Sequence, residues 1–171
     1  MPEEQFDICD ENDNVIGQAA RSVVHAENLL HRAVHIWVFN SRGELMIHLR
    51  SQWKDQFPLI YTSSASGHVD AGETYEVAAI RELREELQLT GTLEFLTKLP
   101  ASPATAYEHT VLFRLTSDET PTPDPAEIQS IHYERPEKIW QMLQESPEQF
   151  TPPFQQLMHW WHSVQITGHS S

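Results

Sequence analysis

Cysteine and basic residues are both scarce in this chain. Cys9 is the only cysteine among 171 residues, so no disulfide framework within the chain is possible. We interpret Cys9 as a small apolar residue. Eleven lysines and arginines stand against 25 aspartates and glutamates, which gives a formal net charge of −14. This charge argues against a nucleic-acid backbone or an anionic membrane surface as partner, because both are themselves negative.

Long apolar runs are missing as well. No stretch approaches the roughly 18 residues that a membrane span requires, and the acidic start lacks the basic and then apolar pattern of a signal peptide. The length fits one domain, and we expect residues 1–171 to form it, with residues 166–171 as a disordered tail. We therefore expect a cytoplasmic protein, either a monomer or a homodimer.

The segment 67–89, GHVDAGETYEVAAIRELREELQL, holds an unusual density of functional groups. A helix over residues 73–87 would place three carboxylates on one side, those of Glu82, Glu85 and Glu86. The opposite side would carry the apolar residues Val77, Ile80, Leu83 and Leu87, which predicts a core face. Like charges at this spacing repel one another, so water or a bound cation must compensate them.

The residues before this helix indicate a ligand-binding loop. Gly67, Asp70 and Gly72 mark a turn where the backbone can approach a ligand closely. Arg81 follows Glu73 by eight residues and is placed to pair with it. Mg²⁺ takes carboxylate oxygens and is typically shared with substrate phosphates, so it would suit the acidic face. A solvated acidic helix is the alternative that these residues leave open.

The segment resembles the signature of the Nudix hydrolases, G-x5-E-x7-R-E-U-x-E-E-x-G-U, where U is an apolar aliphatic residue. The matching residues are Gly67, Glu73, Arg81, Glu82, Leu83, Glu85, Glu86 and Leu89. Gln88 replaces the second glycine of the signature, which usually ends the helix in a left-handed conformation, and Gly91 is the candidate to end it instead. The resemblance implies an α/β fold, namely an α/β/α sandwich around a mixed β-sheet.

The remaining sequence predicts elements that agree with this fold. Runs of β-branched, aromatic or alternating residues predict strands. We expect a strand-turn-strand unit at residues 5–20 and single strands at 33–39, 45–49, 92–100, 107–116 and 128–133. Amphipathic helices are predicted from Pro136 and over residues 151–164.

A longer stretch is similar to the Nudix branch related to type 1 isopentenyl diphosphate isomerase. The similar residues are 29–51, followed by TSSASGHVDAGE. In that isomerase the histidines matching His25, His31 and His68 bind a metal, although a histidine by itself is more often a hydrogen-bonded structural residue. The isomerase uses a cysteine where this chain has Ser66 and a tryptophan where it has Pro153. Because a serine hydroxyl is a very weak acid and base, we expect hydrolysis rather than isomerisation.

The resemblance also implies a set of metal ligands and catalytic groups. We expect Mg²⁺, with Mn²⁺ as a possible substitute, bound by Glu82, Glu85, Glu86 and Glu108 and by the backbone carbonyl of Ser66. Glu82 is the first candidate for the general base and Glu108 is the second. Arg81 would hold Glu73 and thereby the loop.

The expected substrate is a small phosphorylated molecule, most simply a nucleoside di- or triphosphate. Its contacts are predicted at Arg50, Lys54, Trp53, Tyr61 and His35, with cations for phosphate and aromatic faces for a base. Two alternatives stay open, an isomerase-like enzyme and a non-catalytic module that senses a nucleotide.

Overall fold

A mixed β-sheet with helices on both faces organises the computed structural model, which describes residues 2–168. The strands are β1 (Gln5–Cys9), β2 (Val15–Ala20), β3 (His31–Phe39), β4 (Leu45–Arg50), β5 (Tyr61–Thr62), β6 (Ala65–His68), β7 (Glu94–Leu99), β8 (Glu108–Thr116) and β9 (Ile128–Glu134). The helices are α1 (Arg21–Ala26), α2 (Tyr75–Leu87), α3 (Pro136–Glu145) and α4 (Pro152–Gly168).

The main sheet has the order β5-β4-β3-β8-β7, while β6 pairs with β3 and β9 pairs with β4. Strands β3 and β8 run parallel, and the other pairs are antiparallel. Strands β1 and β2 form a separate antiparallel hairpin. The predicted sandwich around a mixed sheet is therefore confirmed. Helix α1 and the short strands β5 and β6 were not predicted, because each is too brief to show a clear periodicity.

The central strand β3 divides the interior into two cores. Its alternate residues Val34, Ile36 and Val38 belong to the core beneath α2. Trp37 points to the other face and packs in a second core with residues of β8, α3 and α4, among them Leu112, Ile139, Phe154, Leu157 and Met158. Alternation along one strand thus serves two layers, as expected for a sheet that is covered on both faces.

Helix α2 is rotated relative to the sequence-based expectation. Leu83 and Leu87 are buried as predicted, but Val77 and Ile80 are 53% and 47% exposed, so their assignment to the core was wrong. Ala78 and Ala79 face the sheet in their place. Small alanines let the helix lie close to the sheet, and this rotation also turns Glu86 inward.

The end of α2 differs from the expectation too. Gln88 itself adopts the left-handed conformation with φ 54° and ψ 37°, and its N–H donates to the Arg84 carbonyl at 2.9 Å. The prediction that Gly91 ends the helix was therefore wrong. Gly91 instead lies against the Leu115 side chain, where a Cβ atom would collide.

Helix α4 continues to Gly168, so residues 166–168 belong to it, and the rest of the expected tail, residues 169–171, lies outside the described residues. Within residues 2–168, no helix is both long enough and apolar enough to cross a membrane.

The rotation of α2 predicts opposite results for two truncations on the same helix. Leu83→Ala should lower the free energy of unfolding by about 2–5 kcal/mol, because it opens a cavity in the core. Val77→Ala should change it by about 0.5 kcal/mol or less, because that side chain is half exposed. Urea denaturation of both variants makes the comparison, and equal losses would contradict the observed orientation.

Candidate active site

Strand β6 and the loop after it bring the carboxylates of α2 against the sheet. Gly67 lies so close to Glu82 that a Cβ atom at this position would overlap the carboxylate. The backbone N–H of the neighbouring Ser66 donates to Glu86 Oε1 at 2.7 Å. A side chain at position 67 would therefore displace Glu82, which explains the glycine at the head of the motif.

Arg81 holds the loop and the acidic face together. It donates two hydrogen bonds to Glu73, at 2.9 Å from Nε and 2.8 Å from Nη2, as its predicted role requires. Arg81 Nη2 also donates to the His68 carbonyl at 3.1 Å, and Nη1 lies 2.7 Å from Glu82 and 3.3 Å from Glu85. With Asp70 Oδ2 at 3.5 Å from Nη2, one guanidinium thus contacts four carboxylates and fixes the backbone that faces them.

The three glutamates of the helix differ in environment. Glu86 is 4% exposed, and burial together with the charge of Glu82 raises its pKa well above the usual range. Burial raises the pKa of Glu82 to about 7, against the opposing effect of Arg81. Glu85 stays open to solvent at the rim. Two carboxylates side by side, one buried and one largely buried, are costly without a cation, which is the electrostatic pattern of a metal site.

Glu108 begins β8 and lies among histidines rather than beside the acidic helix face. Its Oε2 is 3.0 Å from His68 Nε2 and 3.7 Å from His31 Nε2. Burial works against the charged form, but the two imidazoles outweigh it and hold the pKa of Glu108 well below its usual range. Glu108 is therefore ionised and already partnered, which makes it a poorer proton acceptor than Glu82.

Three histidines form a second cluster next to Glu108. His25, His31 and His68 each offer one ring nitrogen, and these nitrogens lie within 4.8 Å of one another. His31 Nδ1 is 2.8 Å from the Leu29 carbonyl, which leaves Nε2 as the acceptor nitrogen. That nitrogen is the one buried side-chain polar atom without a hydrogen-bond partner in residues 2–168. Such a donor set fits a transition-metal ion.

A cleft of about 600 Å³ is lined by the acidic face of α2, by Glu108 and by His68 of the histidine cluster. Its lining includes the predicted site residues Glu82, Glu85, Glu86, Glu108, Arg81, Ser66, Arg50, Trp53, Lys54 and His35. Glu73 lies behind Arg81, outside the lining. Tyr61 is outside it as well, and its ring packs on Phe150 and His132, with centroid separations of 5.8 and 5.4 Å.

The basic residues of the cleft are held by backbone carbonyls and carboxylates. Arg50 donates to the carbonyls of Gln56 and Phe57, which fixes the loop between β4 and β5. Lys54 pairs with Glu127 at 2.5 Å, and Trp53 from the same loop is 76% exposed. The loop therefore presents two cations and one open aromatic face.

Sequence reasoning missed one part of this cleft. Arg21 of α1 lines it and forms a two-point ion pair with Asp55 at 2.8 and 3.0 Å. Helix α1, which carries Arg21, was not predicted, so nothing in the sequence indicated that Arg21 would lie near the motif. The histidine cluster was noted only through the isomerase resemblance, because its members are far apart in the chain; the signal available was their common match to that branch.

Known proteins share this fold and motif. A sequence profile described as the NUDIX domain matches residues 29–160. The uncharacterized Nudix hydrolase SCO1686 of Streptomyces coelicolor is 44% identical over 98 residues, which are 56% of this chain and only about half, 54%, of that relative. The isopentenyl-diphosphate Delta-isomerase of Pectobacterium atrosepticum is 32% identical over 161 residues, 91% of this chain and 89% of the relative. The crystal structure of DR0079 from Deinococcus radiodurans superposes with a TM-score of 0.80 at 30% identity, covering 91% of this chain and 98% of that one.

The carboxylates of Glu82 and Glu86 predict that the metal-free protein loses stability as the pH rises from about 6.5 to about 8. Below about pH 6.5 the imidazoles of His25, His35 and His48, whose pKa burial lowers to about 4, change stability in the opposite direction. Glu82 has a folded-state pKa of about 7 against an ordinary 4.5, so its stabilising contribution is complete below pH 4.5 and is lost as the pH passes 7. Glu86 shifts in the same direction. Urea denaturation across this range, with and without Mg²⁺, measures the effect.

Mg²⁺ should flatten this decline, because a cation stabilises the charged carboxylates. Glu86→Gln should flatten it without metal, since one titrating group is gone. A pH slope that responds to neither change would contradict the assignment of the shifts to these two residues.

Proposed function

Because the chain belongs to the NUDIX-domain family, we propose that it is a metal-dependent hydrolase of the pyrophosphate bond in nucleoside di- or triphosphates. The observation that carries the proposal is a pair of adjacent carboxylates, the buried Glu86 and the largely buried Glu82, with Glu85 at the rim of the same cleft. Burial of two acids serves no packing purpose, and it suits a divalent cation that carries a phosphate chain.

Mg²⁺ fits the oxygen donors of Glu82, Glu85 and Glu86, and the carbonyl of Ser66 lies on the adjacent strand. Bound there, the ion would neutralise charge on the diphosphate and make a neighbouring water more acidic. Glu82 accepts the proton of the attacking water. Its place on the acidic face favours this role over Glu108, which the histidines hold ionised and engaged.

The cations of the cleft bind the phosphate chain in this proposal. Arg21 and Lys54 exchange their carboxylate partners, Asp55 and Glu127, for phosphate oxygens. Trp53 offers its exposed face to a base, because aromatic rings stack on bases of any sequence. With a net charge of −14, the protein repels anionic substrates except where these cations and the metal gather.

The acidic cluster predicts the outcome of one nearly isosteric change. Glu86→Gln should lower kcat on the best nucleoside di- or triphosphate by about 10²–10³-fold or more, since it removes a buried charge that holds the metal. It keeps an oxygen that can accept the Ser66 N–H, so the fold should survive.

Glu76→Gln is the matched control, because Glu76 is exposed on the same helix and lies outside the cleft. It should retain full turnover. Turnover of Glu86→Gln close to that of Glu76→Gln would contradict the metal assignment.

A second metal is proposed at His25, His31 and His68, with Glu108 adjacent. The unpartnered and buried Nε2 of His31 supports it, since a ligated ion would satisfy that atom. Imidazole donors suit Mn²⁺, Zn²⁺ or Fe²⁺ better than Mg²⁺, so the two clusters would take different ions.

Metal analysis checks this second site independently of activity. The purified protein, loaded with Mn²⁺ or Zn²⁺ and desalted, should retain about one equivalent by mass spectrometry. His31→Ala should lose it, whereas His132→Ala should keep it, because His132 is exposed and outside the cluster. Equal metal content in both variants would contradict the site.

An isomerase-like enzyme is the second candidate function. The 32% identity to an isopentenyl-diphosphate Delta-isomerase over most of both chains favours it, as does the histidine cluster. Against it stand Ser66 and Pro153, which line the cleft at positions where the resemblance places a cysteine and a tryptophan. A non-catalytic sensor has no need for buried carboxylates, so their presence argues for chemistry.

Incubation with isopentenyl diphosphate in D₂O, followed by proton NMR, separates the two enzymes. Neither dimethylallyl diphosphate nor deuterium in the carbon chain should appear, because Ser66 cannot supply the carbon acid-base step. Formation of dimethylallyl diphosphate by the wild-type protein would overturn the choice of hydrolysis.

A further inference from the structure

His35 lines the cleft from the middle of β3 and is buried, with 4% of its surface exposed. Its Nδ1 lies 2.7 Å from Ser63 Oγ. Its Nε2 has no hydrogen-bond partner in the part of the chain that the structure describes. Among the described residues, His31 Nε2 is the one fully buried side-chain polar atom that has no partner. His35 Nε2 is therefore not fully buried, and it opens into the cleft that His35 lines.

The hydrogens around Ser63 determine which nitrogen of His35 carries the proton. Trp37 Nε1 lies 3.0 Å from Ser63 Oγ, and an indole N–H can only donate. Ser63 is fully buried, so its own hydroxyl hydrogen needs an acceptor inside the protein. His35 Nδ1 is the other atom recorded in contact with that hydroxyl within residues 2–168.

The opposite arrangement does not satisfy these groups. If Nδ1 carried the hydrogen, Trp37 and His35 would both donate to Ser63, and the hydroxyl hydrogen would be buried without an acceptor. With the hydrogen on Nε2, Trp37 donates to Ser63 and Ser63 donates to His35 Nδ1, so the indole N–H, the hydroxyl and Nδ1 are all paired.

We propose that Ser63 and Trp37 fix His35 as the Nε2–H tautomer, and that this N–H donates to an uncharged acceptor on the nucleoside part of the substrate. The identity of the ligand rests on the proposed function, whereas the tautomer does not. Ser63 is a positioning residue in this arrangement, and His35 is the residue that touches substrate.

Charge and surroundings favour the nucleoside over the phosphates as the partner. Burial lowers the pKa of His35 to about 4, so the ring is neutral at physiological pH. The same cleft contains the charged donors Arg21, Arg50 and Lys54. These cations bind phosphate oxygens more strongly than a neutral imidazole N–H does. Uncharged residues line the cleft as well, including Ala33, Thr62 and Pro153, and they suit an uncharged group.

The tautomer also separates His35 from the histidine cluster. An Nε2 that carries a hydrogen has no free lone pair for a metal, and His35 is not among the three histidines whose nitrogens converge. His35 thus differs in role from the cluster of His25, His31 and His68, because it offers a hydrogen to the cleft rather than a lone pair to a metal.

Long-range ¹⁵N–¹H NMR of the full chain with ¹⁵N-labelled histidine reads the tautomer directly, with His35→Phe used to assign the signal. We expect Nδ1 unprotonated and Nε2 protonated. Ser63→Ala should give a mixture of tautomers. Ser64→Ala is the matched control, because Ser64 is equally buried but pairs with Val38 N and the Met46 carbonyl, and it should leave the His35 signal unchanged.

A wild-type Nδ1–H tautomer, or a Ser63→Ala spectrum identical to wild type, would overturn the role of Ser63. These outcomes do not depend on turnover. If the protein cleaves no nucleotide, the proposed function fails while the NMR result still decides the tautomer.

Kinetics then test the contact with substrate. On the nucleoside diphosphate that wild type cleaves best, His35→Phe should lower kcat/KM by about tenfold, the size of one neutral hydrogen bond. Inhibition by inorganic pyrophosphate, which lacks a nucleoside, should be unchanged. An equal weakening of pyrophosphate inhibition would assign His35 to phosphate and overturn the nucleoside contact, as would an unchanged kcat/KM.

Discussion

Repulsion between two adjacent carboxylates, the buried Glu86 and the largely buried Glu82, is the constraint on which the arrangement of the cleft depends. The protein compensates it in part, with Arg81 on Glu82 and the Ser66 N–H on Glu86. The raised pKa values of both glutamates show that this compensation is incomplete. In the proposed function a divalent cation would complete it, which would link the stability of the fold and the binding of metal through the same two side chains.

Strand β6 connects this acidic cluster to the histidines. Ser66 contacts Glu86 through its backbone, and Gly67 leaves room for Glu82. His68 contacts both clusters, because its backbone carbonyl accepts a hydrogen bond from Arg81 and its ring nitrogen Nε2 lies 3.0 Å from Glu108. A strand of four residues thus sets the separation between an oxygen-rich site and a nitrogen-rich one, and a shift of β6 against β3 would disturb both.

The sequence predicted the parts of this site that are close together in the chain. The pairing of Arg81 with Glu73 followed from a spacing of eight residues, and the carboxylate face followed from helical periodicity. Periodicity failed for Val77 and Ile80, because packing of Ala78 and Ala79 against the sheet decided how the helix is turned. Propensity and pattern cannot foresee which of two adjacent apolar stripes a sheet accepts.

Contacts between distant segments were beyond such reasoning. His25, His31 and His68 meet only because β3 pairs with β6 and α1 lies nearby. Tyr61 was assigned to the substrate wall from its neighbours in sequence, and the structure places its ring against Phe150 instead. Residues that are adjacent along a strand point to opposite sides, so closeness in sequence is weak information about a cleft.

The central claim is that the buried carboxylates serve metal-dependent cleavage of a pyrophosphate bond. Its most direct test is the release of phosphate and pyrophosphate, with identification of the nucleotide products, across a panel of nucleoside di- and triphosphates and diphosphate conjugates, with and without Mg²⁺. We predict cleavage of a few members of the panel that disappears when the metal is removed. The absence of any turnover by folded, metal-loaded protein would contradict the claim, as would cleavage at the same rate in a chelator.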